Sequence, residues 1–146
     1  MYRSILVALE NSNGDANLIE HIGELARVTH SHLLLVHVAD GWAARNFDSL
    51  KLAESEEMKA DRQYLEDTAA RLRKAGLEVS VQLALGDPPT EILKTADREH
   101  VELIAMSAHG HRLIGDLVYG STIHEVRHRT HLPILIVRAG DKLKKV

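Results

Sequence analysis

The sequence predicts an α/β fold, a three-layer sandwich in which a five-stranded parallel sheet is covered by helices on both faces. Three observations carry this. Short apolar runs alternate with longer segments of helical period along the chain. Within most runs nearly every residue is apolar, as strands buried on both faces require. Turn formers, Gly76 and the stretch from Gly86 to Pro89 among them, fall at the joints.

The elements follow in order. Ser4 to Leu9 is the first strand, an apolar run directly after the N-terminus. Asp15 to Thr29 is a helix, with Ile19, Ile22, Leu25 and Ala26 at helical spacing and Asp15 in the first turn, where an acid suits the helix dipole. His32 to Val38 is the second strand, and a loop from Ala39 to Asn46 follows it. A long helix runs roughly from Asp48 to Ala75, rich in charged residues and Ala; its apolar series is Leu65, Ala69 and Leu72, and Gly76 stops it. Glu78 to Leu85 alternates, with Val79, Val81, Leu83 and Leu85 on one face, and is the third strand. Gly86 to Pro89 is a turn whose prolines suit a helix start, and Thr90 to His100 is helical with Ile92, Leu93 and Ala96 inward. Val101 to Met106 is the fourth strand, Ser121 to Arg129 a short helix, and Pro133 to Val137 the fifth strand. No linker, repeat or low-complexity stretch interrupts this series, so residues 1–146 form one domain.

Composition narrows the function classes. A net charge of −3 offers no electrostatic footprint for DNA or RNA, and Lys142, Lys144 and Lys145 are a short terminal cluster. No run is long enough to span a membrane, so no membrane partner is expected, and the chain opens on a strand rather than a signal peptide. The absence of cysteine excludes disulfides, thiolate catalysis and cysteine-bound metals, and makes a cytoplasmic location the expectation.

In doubly wound sheets a ligand lies beyond the carboxyl ends of the strands, where the winding reverses. Two strand ends carry suggestive residues: Ala8, Leu9, Glu10 and Asn11 at the first, and Ser107, Ala108, His109 and Gly110 at the fourth. Gly120, Ser121 and Thr122 then open the last helix. Glycines between a strand and a helix start let backbone amides converge on a bulky anion, so the outline is that of a phosphate site.

These residues resemble the universal stress protein family, whose signature is Gly, two residues, Gly, nine residues, then Gly-Ser or Gly-Thr. Here the spacing is kept by Ser107, Gly110 and Gly120-Ser121. Ile5 to Glu10, Leu35 to Val38, the turn at Gly86, Asp87 and Pro88, and Leu132 to Arg138 resemble further stretches of the family, so the likeness covers the whole chain. The resemblance implies a Rossmann-like sheet of order 3-2-1-4-5, related to the adenine nucleotide alpha hydrolases, with the first and fourth strands adjacent. It also implies binding of ATP or a related adenine nucleotide. Adenine would lie near Ala8, Leu9, Glu10 and the backbone of Val38 and Ala39. Ribose and the inner phosphates would run along Met106, Ser107, His109, Gly110, His111 and Arg112, and the terminal phosphate would rest on Gly120, Ser121 and Thr122. Mg²⁺ could accompany the phosphates, with Ser121, Thr122 or Asp116 as oxygen donors. The family also implies a homodimer through the last strand, Leu132 to Val137, an apolar run suited to a sheet edge.

Three positions depart from the family pattern, one of them Glu102, a structural replacement of a common Asp before the fourth strand. Ser107 stands where the motif has Gly: a backbone with φ above zero there would disfavour Ser, whereas close approach alone would tolerate it. Glu10 replaces the usual Asp and carries its carboxylate one methylene further out.

Three other readings are weaker. His124, Glu125 and His128 fit the H-E-x-x-H pattern of zinc peptidases. The pattern arises easily by chance among ten histidines, the helix is short, and a third ligand is required. A flavodoxin-like carrier would want a hydroxyl-rich loop after the first strand and aromatics around the flavin, and aromatics are only 3% of this chain. Walker A and dinucleotide fingerprints are absent. No residue set combines a general base, a positioned water and a metal clamp, so the expectation is a nucleotide-binding stress-response factor rather than a dedicated enzyme. The alternative is a dimeric adaptor that binds no nucleotide. Trp42, in the loop after the second strand, is a candidate lid or surface residue.

Overall fold

The computed structural model describes residues 1–39, 54–108 and 122–139, the side chains of residues 54–56 excepted. Five strands form one parallel sheet: β1 (Ser4–Ala8), β2 (His32–Ala39), β3 (Glu78–Leu85), β4 (Leu103–Ala108) and β5 (Ile134–Arg138). Its order is β3-β2-β1-β4-β5, as expected. The helices are α1 (Asp15–Thr29), α2 (Glu54–Lys74), α3 (Pro88–Arg98) and α4 (residues 122–129). The chain winds outward from β1 through β2 to β3, then returns past β1 to β4 and β5. Parallel crossovers keep one hand, so reversing direction moves the connecting helices to the opposite face of the sheet.

Two apolar cores record this arrangement. Ile5, Val7, Leu33, Leu35, Leu103 and Ala105 point to one side and bury Leu18, Ile22 and Ala26 of α1 with Leu65, Ala69 and Leu72 of α2. Leu6, Ala8, Leu34, Val36, Ile104 and Met106 point to the other and bury Ile92 and Ala96 of α3 with Val126 of α4. Side chains alternate across a strand, so each apolar run feeds both layers. Leu18 of α1 is fully buried although it falls outside the apolar series noted in the sequence.

Element ends depart from the sequence reading in informative ways. The fourth strand begins and ends two residues later than its apolar run suggests, taking in Ser107 and Ala108, which pair with Val137 and Arg138 of β5. Small residues fit a strand buried on both faces, so pairing outruns hydrophobicity there. The third helix starts at Pro88, and both prolines lie inside its first turn. Asp87 caps it, accepting from the Thr90 amide at 3.3 Å and the Thr90 hydroxyl at 2.6 Å. The second strand extends to Ala39 and the fifth runs from Ile134 to Arg138. The long helix spans Glu54–Lys74 in the described residues, so its expected start at Asp48 lies outside them.

Candidate functional site

The reversal of winding places the carboxyl ends of β1 and β4 side by side, with Val7 opposite Ala105. One residue further on, Ala8 and Met106 stand on the face covered by α3 and α4, and both are buried. Beyond Ala8 the chain turns sharply through Asn11, whose φ of +59° is left-handed, a conformation Asn tolerates better than most residues.

Asp15 organises that turn. Its carboxylate, buried at the start of α1, accepts from the amides of Glu10 at 3.0 Å, Asn11 at 2.8 Å and Ser12 at 3.4 Å. The Tyr64 hydroxyl of α2 donates to the same carboxylate. Burial and this bond both hold the Tyr64 phenol well above its ordinary pKa. A negative group at a helix N-terminus also meets the favourable end of the dipole. Asp15 thus sits in the first turn of its helix, as the sequence suggested, and in addition locks the loop that leaves β1.

A second clamp reaches the loop from β2. The His37 ring lies between two acceptors: Nδ1 is 2.9 Å from the Leu9 carbonyl and Nε2 is 3.4 Å from Asp61 Oδ2. A carbonyl can only accept, so Nδ1 carries the proton in that bond. Asp61 in turn accepts from the Asn11 amide nitrogen Nδ2 at 3.0 Å. Asp61 and Tyr64 share the inward stripe of α2 with Leu65, Thr68, Ala69 and Leu72, so polar residues on an otherwise apolar stripe were the signal available in the sequence. Neither residue stood out there as functional, and Asn11 did so only as part of the end of the first strand.

This geometry assigns the candidate residues different parts. Leu9 is committed inward: its side chain is in the core, its amide donates to the Val36 carbonyl at 2.8 Å, and its carbonyl faces His37. The Glu10 backbone is held by Asp15, while its half-buried side chain receives the Ser12 hydroxyl at 3.4 Å. Val38 and Ala39 lie at the end of β2 in register with Ala84 and Leu85, and the Ala39 carbonyl accepts the Gly86 amide at 3.2 Å. Met106 is core. Thr122 stands in the first described turn of α4 and is half-buried. His109, Gly110, His111, Arg112, Asp116, Gly120 and Ser121 lie outside the described residues, as does Trp42.

Ser107 settles the alternatives left by its place in the motif. It is a strand residue paired with Val137, and it is not among the described non-glycine residues with positive φ. Its Cβ therefore leaves the sheet along the normal, on the face of Ala105, rather than along the strand axis into the space beyond β4. The residue is 2% exposed, and its hydroxyl makes no hydrogen bond among the described residues.

Chemically, Glu10 brings a half-buried carboxylate to the carboxyl end of β1. Asp15 and Asp61 are buried behind it, bonded to the amides of residues 10–12 and Tyr64 and to Asn11 and His37 respectively. A carboxylate such as that of Glu10 accepts from N–H and O–H donors. Among the described residues no group of three or more His, Asp or Glu is arranged to hold a metal ion.

Comparison with known proteins agrees with this architecture. The model of the universal stress protein family matches residues 1–138, and the chain belongs to that family. Over 155 aligned residues it is 24% identical to Universal stress protein MJ0577 of Methanocaldococcus jannaschii, covering 94% of this chain and 96% of that protein. The structure of MJ0577 superposes with a TM-score of 0.80 at 22% identity, covering 97% of this chain and 99% of that one. A universal stress protein from Archaeoglobus fulgidus, solved in complex with dAMP, superposes with a TM-score of 0.70 at 20% identity, covering 93% and 98% of the two chains. A 67-residue stretch is 37% identical to Universal stress protein Slr1230 of Synechocystis, spanning 46% of this chain and 23% of that protein.

Proposed function

We propose that the protein binds ATP or a related adenine nucleotide at the crevice between β1 and β4 and acts as a regulatory factor in the stress response. The observation that carries this is the adjacency of the carboxyl ends of β1 and β4 at the switch point, with Glu10 following β1 and the glycine motif of residues 107–121 following on from β4 in the chain. The two ends suit opposite parts of one nucleotide. Glu10 takes donors such as ribose hydroxyls or the adenine amino group, and the Val38 and Ala39 backbone lies beside the base; the Ala39 carbonyl keeps a second lone pair beyond its bond to Gly86. The phosphates are assigned to Gly110, Gly120, Ser121 and Thr122, with Arg112 or His111 adding charge and Mg²⁺ accompanying them. The relative solved with dAMP supports the ligand class.

The same reading makes the protein a two-fold homodimer through β5 and places it in the cytoplasm; no described helix is long and apolar enough to cross a membrane. Binding and signalling, rather than dedicated catalysis, is its role.

Two measurements test this. Native mass spectrometry of freshly purified protein should show a co-purified adenine nucleotide. ATP with Mg²⁺ at a hundredfold excess over Kd should stabilise the fold by about 2.7 kcal/mol, a rise of several degrees in Tm. Gly120→Val should abolish the shift by blocking phosphate approach. A protein that carries no nucleotide and shows no shift is the dimeric adaptor instead, and a full shift in Gly120→Val would place the phosphates elsewhere.

A further inference from the structure

His124 and His128 are used by neither the sheet nor the nucleotide crevice. An α-helix turns about 100° per residue, so these two residues stand about 40° apart on α4, each about 160° from Val126. Val126 is fully buried against the sheet, and both histidines are exposed. Their rings meet edge to face, with centroids 4.2 Å apart and planes at 66°. The helix therefore holds two imidazoles together on its solvent side.

That is the geometry of a chelating pair. Imidazole nitrogens bind Zn²⁺ at about 2.0–2.1 Å, so two on one ion are separated by about 3 Å. Rings already in contact reach that separation by rotation about their side-chain bonds. The neighbouring acid stands apart: Glu125 Oε2 is 4.0 Å from Arg129 Nη1, and Arg129 also donates to the Thr90 hydroxyl at 3.3 Å. No third His, Asp or Glu joins the pair among the described residues. Two neutral imidazoles with the remaining positions open to water suit a borderline transition ion, and Cu²⁺ is held more tightly than Zn²⁺ by such ligands; Mg²⁺ and Ca²⁺ prefer oxygen.

We propose that His124 and His128 form a two-ligand, solvent-facing site for a divalent transition-metal ion, with Cu²⁺ bound above Zn²⁺. The site differs from the zinc-peptidase reading of the same residues because Glu125 takes no part in it. The proposed phosphate residues Gly120, Ser121 and Thr122 directly precede Ile123 and His124 in the chain, so the site is tested without nucleotide.

Calorimetric titration of Cu²⁺ and Zn²⁺ into the full chain, freed of any affinity tag and without nucleotide, tests the site. The tightest binding should be one ion per chain. His124→Ala and His128→Ala should each weaken it by about tenfold or more, because losing either ring removes the gain from holding both on one scaffold. Both changes are at exposed helical positions and favour the helix, so circular dichroism should be unaltered. Glu125→Gln and His131→Ala should leave binding unchanged, and Mg²⁺ should give no such signal. If either ring can be removed without weakening the tightest site, or if Glu125→Gln or His131→Ala abolishes it, the proposal is wrong.

Discussion

Single side chains decide how the carboxyl ends of β1 and β4 are built, and two of them are open to direct test. Tyr64 donates its hydroxyl to the buried Asp15 carboxylate, and its phenol is held neutral well above the ordinary range. A raised folded-state pKa contributes stability that is whole below the unfolded value, about 10, and is lost as pH climbs past it. Tyr64→Phe should therefore cost about 1–2 kcal/mol near neutrality, and the gap from the parent protein should narrow as pH rises above about 10. Urea midpoints of both proteins at neutral and alkaline pH measure this; a gap that widens with pH would refute the assignment. Ser107 predicts the opposite sign. Its buried hydroxyl has no partner among the described residues, so Ser107→Ala should leave the unliganded protein equally stable or more stable by about 1 kcal/mol. A stability loss above about 1 kcal/mol would show instead that Ser107 is paired within the fold. Little of this was legible beforehand. Asp15 was placed in its helix turn from sequence, but its bonds to Tyr64, and those of Asn11 to Asp61, join residues 49 and 50 positions apart. Local patterning does not register contacts at that range.

At the level of elements, apolar runs located the strands other than β3, as expected of a parallel sheet covered on both faces, and alternation located β3 at the edge. What they missed was where pairing stops. Ser107 and Ala108 add little hydrophobic signal, yet β5 carries the ladder through them. The helix after the third strand shows the converse: Gly86, Asp87, Pro88 and Pro89 mark the joint clearly, and only its assignment as turn rather than first helical turn was off. Gly86 sits at φ +134°, where an L side chain is strained, and Asp87 then caps α3. Asp87→Ala should cost about 1 kcal/mol, read as a lower urea midpoint with an unchanged slope. A neutral result would mean that the two prolines alone fix the helix start. The phosphate motif was the clearest site signal in the sequence. Its amides fall mostly outside the described residues, so at that end the site still rests on spacing, while the β1 end rests on geometry.

The whole molecule has two sheet edges, and they differ. At β3 the Arg73 guanidinium donates twice to the Val79 carbonyl, at 3.1 and 2.8 Å, which occupies a backbone acceptor near the start of that edge strand. β5 pairs only with β4 among the described residues, and its Ile136 is 42% exposed, the largest exposure of any described large apolar side chain inside a strand. Edge strands that are neither covered nor charged invite a second chain, and a two-fold axis lets the same strand serve both copies. The proposed dimer therefore uses β5 and not β3. Ile136→Lys puts a charge on the exposed apolar position of that edge without touching the core. It should yield a monomer with unaltered circular dichroism, as measured by sedimentation at micromolar concentration. Arg73→Ala should leave the dimer intact. A parent protein that sediments as a monomer would remove the interface, and a dimer that survives Ile136→Lys but dissociates on changing β3 would move it to the opposite edge.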